Sequence, residues 1–227
     1  MRVSARGARL ATLGAWAAFF TYLWLTGSSA RYLGARTQWL VPFGAVTLWV
    51  AIALVVRTPR SRTSLGAREA LGLLALAVPL AAAALVPRAE LGAYAAAHKS
   101  STFFPALKPA PPATPRDVTL LDVRIAEDDP TFALVSHIHD GTRVGLLGLV
   151  THTGTGGFSL TRFYVTCCIA DAQPVTIVVR WRGPVARDGW VWVLGTLRRN
   201  GKRYALAADH VAPRHPPAHP YLGFGSG

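Results

Sequence analysis

The chain has 227 residues, of which 51% are hydrophobic, and its formal net charge at pH 7 is +13. Most of the basic excess lies before residue 114, among long apolar runs, whereas the remainder of the chain is close to neutral. A nucleic-acid-binding surface would concentrate basic residues on a soluble domain, so this distribution predicts no nucleic-acid partner, and the length allows one or two domains.

Three uncharged apolar runs predict three membrane spans at residues 10–26, 39–56 and 70–86, inside a transmembrane region covering 1–90. Each run is close to the roughly 17–25 residues that a helix needs to cross the hydrocarbon core. The first run has an alternative, a signal peptide cleaved near Ser28–Ala30, although its apolar part is long and rich in aromatic residues. The third run is alanine-rich and contains Pro79, and its alternative is a buried helix of a soluble domain.

The distribution of arginine and lysine beside these runs predicts their orientation. Seven arginines flank the N-terminus and the connection between the second and third runs: Arg2, Arg6, Arg9, Arg57, Arg60, Arg62 and Arg68. Fewer basic residues flank the other ends: Arg31, Arg36, Arg88 and Lys99. The N-terminus is therefore predicted to be cytoplasmic and the chain after Val86 extracytoplasmic, in a multi-pass cell-membrane protein. The basic flanks also make the anionic lipid bilayer a predicted partner.

Residues 91–116 are predicted to form a proline-rich linker, because "FFPALKPAPPATP" favours a stiff, extended backbone. Its Phe103 and Phe104 either rest in the membrane interface or pack on the domain that follows.

Residues 117–222 predict a mostly β domain, followed by a tail at 223–227. Val118–Ala126 has the pattern of a strand, and a helix at 130–139 is indicated by Asp129 as N-cap, Pro130 in the first turn and Gly141 after the end. Five strands are then predicted: Thr142–His152, Gly157–Cys168, Pro174–Trp181, Gly189–Arg199 and Lys202–Val211.

Several details of these five strands predict a small closed barrel of the OB type. Asn200-Gly201 is a hairpin signal between the last two strands, and glycines stand inside strands where a small barrel must bend: Gly145, Gly148 and Gly195. The alternation of Val175, Ile177, Val179 and Trp181 predicts inward-facing positions. The fourth strand is apolar on both faces, so the face of Trp190, Trp192 and Leu194 is either covered by the helix at 130–139 or is a contact surface.

The two cysteines of the chain are adjacent, at Cys167 and Cys168. Strand alternation predicts that Cys167 faces the core and Cys168 faces outward. Three interpretations remain open: small apolar packing residues, a strained disulfide between the two, or a thiolate site for metal or redox chemistry. For a thiolate site the candidate partners are Asp171, His152 and His137, and thiolate with imidazole would suit zinc or copper. No CxxC spacing and no known catalytic constellation accompanies them, so an enzyme is not predicted.

The pattern CC-x-AD-A-x-P at 167–174, with W-V-x-V-x-G at 190–195 and P-Y-L at 220–222, resembles a bacterial family. Its members are membrane proteins of unknown function, catalogued as the smaller subunit of a proposed two-component membrane permease complex. The residues that support the resemblance include Arg162, Phe163, Pro174, Trp190 and Tyr221, and "YLGARTQWLVPFGA" and "VPRAELGAYAA" are also similar to the family. The resemblance implies a larger, multi-span permease-like partner in a bacterial cell membrane. Many relatives are histidine-rich between the second and third spans, whereas "RTPRSRTSLGARE" contains no histidine.

The sequence therefore predicts a membrane α-helical region of three spans joined to an OB-like β domain. The predicted function is that of a non-enzymatic accessory subunit whose extracytoplasmic domain binds a partner, ligand or metal through its Cys-Cys region. The alternative is a thiol-dependent redox or metal-handling membrane enzyme that uses Cys167 or Cys168.

Overall fold

A computed structural model describes residues 5–58, 66–85, 91–99, 110–114 and 117–223. The chain divides into two compact units. The first comprises Met1–Ser29 and Thr37–Ala89, and the second comprises Ala30–Arg36 and Glu90–Gly227. The short segment 30–36, which joins the first two long helices along the chain, thus belongs to the unit that contains the β domain.

The first unit contains three long helices, α1 (Ala5–Thr26), α2 (Leu40–Arg57) and α3 (Ala67–Leu85). Among the described residues, one helical stretch, Ala35–Arg57, has the length and mean hydropathy to cross a membrane. Core helices of soluble proteins and signal sequences share those properties. Of the three predicted spans, the second alone is supported in this way.

Contacts within the first unit define the directions of its helices. The guanidinium of Arg6, near the start of α1, donates to the carbonyl oxygens of Val55 and Val56 at 2.7 Å each, at the end of α2. α1 and α2 are therefore antiparallel, and Arg6 satisfies carbonyls that the end of α2 leaves without helical partners. Arg9 pairs with Glu69, and Trp16 Nε1 donates to Leu76 O at 3.0 Å. Both contacts join residues sixty positions apart, so α1 and α3 run parallel.

The second unit is built on five strands, with α4 (Ala93–His98), α5 (Leu120–Asp128) and α6 (Pro130–Val135) preceding them. The strands are β1 (Arg143–Gly154), β2 (Gly157–Tyr164), β3 (Gln173–Arg180), β4 (Trp190–Asn200) and β5 (Arg203–Arg214). They close into a barrel in the order β1-β2-β3-β5-β4, in which β3 and β5 are parallel and all other pairs antiparallel. The predicted five-stranded closed barrel is confirmed.

The main core lies inside this barrel and beneath α5. Val175, Ile177 and Val179 are buried, as the alternation of β3 predicted, and Val191 and Val193 of β4 join them. The predicted hairpin at Asn200-Gly201 is also present, since Asn200 pairs with Arg203 and Gly201 has a φ of 62°. At Gly195 the register of β4 against β5 shifts, which fits the predicted bend.

The prediction of a strand at Val118–Ala126 was wrong, because this stretch forms α5. Thr119 caps the helix in a reciprocal arrangement in which Asp122 Oδ2 accepts from Thr119 N at 2.8 Å. The capping box satisfies backbone donors that begin a helix, and it outweighs the strand-like alternation of the apolar residues. The apolar side chains of α5 enter the barrel core: Leu120, Leu121, Val123 and Ile125.

The helix predicted at 130–139 begins as expected but ends early, at Val135. Asp129 Oδ1 accepts from Thr131 N at 2.9 Å and from Phe132 N at 3.1 Å. His137 has a φ of 52°, which a continuing helix does not allow. α6 packs mainly against α5 and not over the outer face of β4. Trp192 lies against Gly145 of β1, where any Cβ would overlap the indole ring.

Candidate functional site

The cysteine pair lies in the loop between β2 and β3, because β2 ends at Tyr164. A single 3-10 turn, Ile169–Asp171, follows Cys168. Cys167 is exposed and Cys168 is half-buried, and neither forms a disulfide. The prediction that Cys167 faces the core was wrong, because strand alternation does not extend beyond the end of the strand.

Asp171 organises this loop. Its Oδ1 accepts from the backbone N of Thr166 at 3.0 Å, and its Oδ2 accepts from the backbone N of Cys167 at 2.8 Å and of Cys168 at 3.4 Å. Three consecutive backbone donors thus converge on one carboxylate. The loop conformation that presents the two thiols depends on the negative charge and the position of Asp171.

The same carboxylate controls the protonation of the exposed thiol. The hydrogen bond to Asp171, with a smaller contribution from Cys168, raises the pKa of Cys167 to about 11. Partial burial acts to raise the pKa of Asp171, but the hydrogen bonds from the Cys167 thiol and the loop backbone outweigh it and leave that pKa below its usual value. Cys167 is therefore a neutral thiol at pH 7, and a thiolate role requires a metal to displace its proton or Asp171 to lose its charge.

A second strand-like segment, from 32 to 34, pairs with the cysteine loop. Leu33 forms an antiparallel bridge with Cys168, and Gly34 N donates to Cys167 O at 3.1 Å. On the other side, Ile169 N donates to Tyr32 O at 2.8 Å. The backbones approach so closely that a Cβ on Gly34 would lie 2.8 Å from Thr166 O, so only glycine fits without displacement.

The C-terminal segment 219–222 is held against the same end of β2. Arg162 donates through Nε to Pro220 O at 3.2 Å and through Nη2 to His219 O at 2.9 Å. Burial lowers the pKa of Arg162 to about 10, which still leaves it charged at neutral pH. Tyr221 Oη donates to Arg31 O at 2.6 Å, so the C-terminal segment also contacts the segment 30–36. Arg162 and Tyr221, predicted as motif residues, act here as structural supports.

A small apolar cluster lies beneath this arrangement. Phe163, Val165, Ala172 and Tyr221 pack together, and Leu91, Ala95 and Ala96 of the α4 region pack on them. Lys99, which follows α4, donates through Nζ to Ile169 O at 3.3 Å and Ala170 O at 3.1 Å. Part of the segment predicted as a linker, 91–116, is therefore helical and packed onto the β domain, whereas Phe103 and Phe104 lie outside the described residues.

The predicted metal-ligand set is only partly assembled. Cys167, Cys168 and Asp171 are brought together, whereas His152 is an exposed residue of β1 and His137 an exposed residue between α6 and β1. Among the described residues, no group of three or more His, Cys, Asp or Glu side chains is placed to hold a metal ion.

The other motif residues lie in the strands of the barrel. Pro174 pairs with Phe163 across β2 and β3, and Trp190 begins β4.

Sequence reasoning did not include three residues that complete the site: Leu33, Gly34 and Lys99. The segment "YLGARTQW" contains the first two, and its only signal in the sequence is the family resemblance. Their pairing is a contact between residues more than a hundred positions apart, which periodicity cannot indicate.

No curated protein matches this chain in sequence. Among solved structures, the hypothetical protein ygiW from E. coli is similar at 14% sequence identity and a TM-score of 0.26, over 36% of this chain and 84% of that chain. The model of one family, the DUF1980 C-terminal domain, matches residues 138–215, a stretch that includes all five strands and the Cys167–Cys168 loop.

Proposed function

We propose that this protein is a membrane-anchored accessory subunit whose barrel domain, on the extracytoplasmic side, binds a larger multi-span permease-like protein through the Cys167–Cys168 loop. The resemblance of the CC-x-AD-A motif to the small subunits of such complexes supports the partner class. The match to the DUF1980 C-terminal domain and the small barrel fit an accessory protein.

One observation carries the proposal: the segment that connects α1 and α2 is paired with the cysteine loop. Leu33 bridges Cys168, and Tyr32 and Gly34 exchange backbone hydrogen bonds with Ile169 and Cys167. If α1 and α2 cross the bilayer, the connection between them emerges at one membrane surface. The cysteine loop then lies on that same side of the membrane.

The helix directions support an odd number of crossings. α2 is antiparallel to α1 and α3 is parallel to it, as the contacts of Arg6, Arg9 and Trp16 require. An up-down-up order returns the chain after α3 to the side of the α1–α2 connection. The arginine distribution gives that side as extracytoplasmic.

The surfaces of the three helices also favour lipid. Large apolar side chains are exposed on all of them, including Leu25 at 77%, Phe43 at 61% and Leu71 at 69%. Exposed apolar area on this scale is costly in water and stable in a bilayer or against partner helices.

The test is co-purification from membranes in mild detergent, with mass-spectrometric identification of bound proteins. The full chain, Cys167→Ser, Cys168→Ser and a matched control at the far end of the barrel, Thr153→Ala, are compared. The proposal expects the control to retain a multi-span partner and the serine variants to lose most of it while remaining folded. Equal recovery of the partner by the double-serine variant would contradict a role of the thiols in binding.

Orientation is tested separately with reporter fusions. Fusions after Arg9 and Arg62 are expected to report cytoplasm, and a fusion after Lys108 the outside. A cytoplasmic signal at Lys108 would contradict the three-span arrangement and place the thiols in a reducing compartment.

A second candidate is a thiol-dependent redox or metal-handling activity, and the observation that favours it is an exposed thiol adjacent to a second free thiol. Zinc or copper is the metal that such a pair would suit. Elemental analysis of the purified chain distinguishes this candidate. Stoichiometric metal that disappears in the double-serine variant would support it, and metal content unaffected by the substitution would exclude the pair as its ligands.

A further inference from the structure

A cavity lies at the end of the barrel away from the cysteine loop. It has a volume of about 370 Å³ and is lined by the β1–β2 turn and by the residues that follow β3, including Gly156, Gly157, Trp181, Arg182 and Gly183. A second hollow adjoins it and adds Arg180. In the β2–β3 register, Gly157 pairs with Arg180 at this end and Tyr164 pairs with Gln173 beside the cysteine loop. Seven residue steps separate the two ends, about 24 Å at about 3.4 Å per residue.

The charge of this cavity is positive. Arg182 lines both the cavity and the adjoining hollow, and Arg180 lines the hollow. Both arginines are exposed, and neither lining contains a carboxylate. Among the described residues, no acidic side chain pairs with either guanidinium. Two guanidinium groups without acidic partners beside one hollow favour the binding of an anion. The planar guanidinium can donate paired hydrogen bonds to the oxygens of a phosphate group.

The indole of Trp181 supplies a second observation that points to a ligand. Its Nε1 is shielded from solvent and has no hydrogen-bond acceptor among the described residues. A buried donor without an acceptor is unfavourable and is uncommon in folded proteins. Nε1 faces Gly183, where an added Cβ would lie only 2.6 Å from it, so the absence of a side chain at Gly183 is what lets the indole edge lie here.

The remaining residues of the cavity wall bring the β1–β2 turn close to the segment that follows β3. Phe158 and Val185 form an apolar wall, and Trp181 N donates to Gly156 O at 3.1 Å. Gly156 has a φ of 91°, which favours glycine and leaves the tip of the β1–β2 turn without a side chain. An anion that enters between the turn and Gly183 meets backbone, one indole edge and two guanidiniums.

The geometry points to a binding site for a phosphate group, held by Arg180 and Arg182 and accepting a hydrogen bond from Trp181 Nε1, at the barrel end opposite the cysteine loop. The phosphate belongs either to a free small molecule or to a lipid headgroup. The site is independent of the proposed partner-binding role, because it shares no residue with the cysteine loop.

The test uses the full chain in zwitterionic detergent, labelled with 5-fluorotryptophan, and follows the fluorine resonance of Trp181. The chain has seven tryptophans, and Trp181→Phe assigns the relevant signal. Inorganic phosphate is titrated in one arm. In the other, the protein is placed in phosphatidylcholine vesicles with and without phosphatidylglycerol.

The site predicts a saturable shift of the Trp181 resonance with inorganic phosphate, with phosphatidylglycerol, or with both, and the responding arm identifies the source. Arg180→Gln and Arg182→Gln should each weaken the apparent affinity of this response about tenfold, because each guanidinium supplies a charge-assisted hydrogen bond to the phosphate. Arg198→Gln removes the same charge from an exposed position of β4 and should leave the response unchanged.

Gly183→Ala provides an independent check, because its methyl group would lie 2.6 Å from Nε1 and must displace the indole edge, which should abolish the shift while the other tryptophan signals stay in place. No shift in either arm would overturn the proposal. A shift that persists in the Arg180→Gln/Arg182→Gln double variant would overturn it equally.

Discussion

Replacing Gly34 by alanine is expected to detach the segment 30–36 from the cysteine loop. The new Cβ would lie 2.8 Å from Thr166 O and 3.0 Å from Val165 O, both backbone atoms that cannot rotate away. The segment must therefore move as a whole. The movement breaks the hydrogen bonds Gly34 N to Cys167 O and Ile169 N to Tyr32 O, which are 3.1 and 2.8 Å long.

The size of the effect follows from those two bonds. Each backbone hydrogen bond contributes about 0.5–1.5 kcal/mol net, so the free energy of unfolding should fall by about 1–3 kcal/mol. For a domain of this size, the melting temperature should fall by about 2–4 °C per kcal/mol. Cys168 loses its neighbour Leu33 and should become more accessible.

The assay is thermal unfolding of the full chain in detergent, combined with the rate of maleimide labelling of Cys168 in a Cys167→Ser background. Gly72→Ala is the matched control, because nothing lies within 4 Å of the Cβ it would add. A Gly34→Ala variant with the labelling rate and the melting temperature of the parent would refute the proposed pairing of the two segments.

Other substitutions test the remaining parts of the site and the fold. Asp171→Asn should lower the pKa of Cys167 from about 11 towards the ordinary value of about 8.5, so alkylation at pH 8 should accelerate, and an unchanged pH profile would argue against the hydrogen bond. In the parent, the protonated Cys167 thiol stabilises the folded state fully below about pH 8.5, and this stabilisation is lost as the pH rises through about 11. The melting temperature of the parent should therefore fall over that alkaline range, and it should fall less in Asp171→Asn. Thr119→Ala should cost about 1 kcal/mol through loss of the α5 cap, whereas Thr119→Ser should not, as measured by thermal unfolding. Arg162→Met should free the carbonyls of His219 and Pro220 and make the C-terminal segment sensitive to limited proteolysis, with Arg198→Met as the control that stays resistant.

The barrel was predictable because its information is local. Val175, Ile177 and Val179 alternate as a barrel strand requires, and Asn200-Gly201 defines a hairpin without reference to the rest of the chain. The stretch at 118–126 was misassigned because its apolar residues alternate, while Thr119 and Asp122, three positions apart, carried the helix signal.

The candidate site was predictable only in part, because its geometry depends on long-range contacts. Asp171 was identified by its proximity in sequence to Cys167 and Cys168, and the structure places its carboxylate on their backbone donors. Leu33 and Lys99 contact the loop from distant parts of the chain. No periodicity or motif around either residue indicates which residue it contacts. The parity argument failed at Cys167 because the last residue of β2 is Tyr164, a boundary that residue pattern alone did not define.

The parallel pairing of β3 with β5 has a consequence for how the barrel forms and opens. It consists of three residue pairs, Val178–Ala205, Val179–Leu206 and Arg180–Ala207, whereas β4 and β5 are paired along nearly their whole length. The β4–β5 hairpin closes a two-residue turn, so it is expected to form early in folding, and the β3–β5 seam, which must close a longer loop, last. In the native state, local opening of the barrel should require the least free energy at this β3–β5 pairing. Amide hydrogen exchange should therefore be fastest, within the barrel, for the backbone donors of 178–180 and 205–207 that bond across the β3–β5 pairing. Any such opening would also widen the hollow that Arg180 lines.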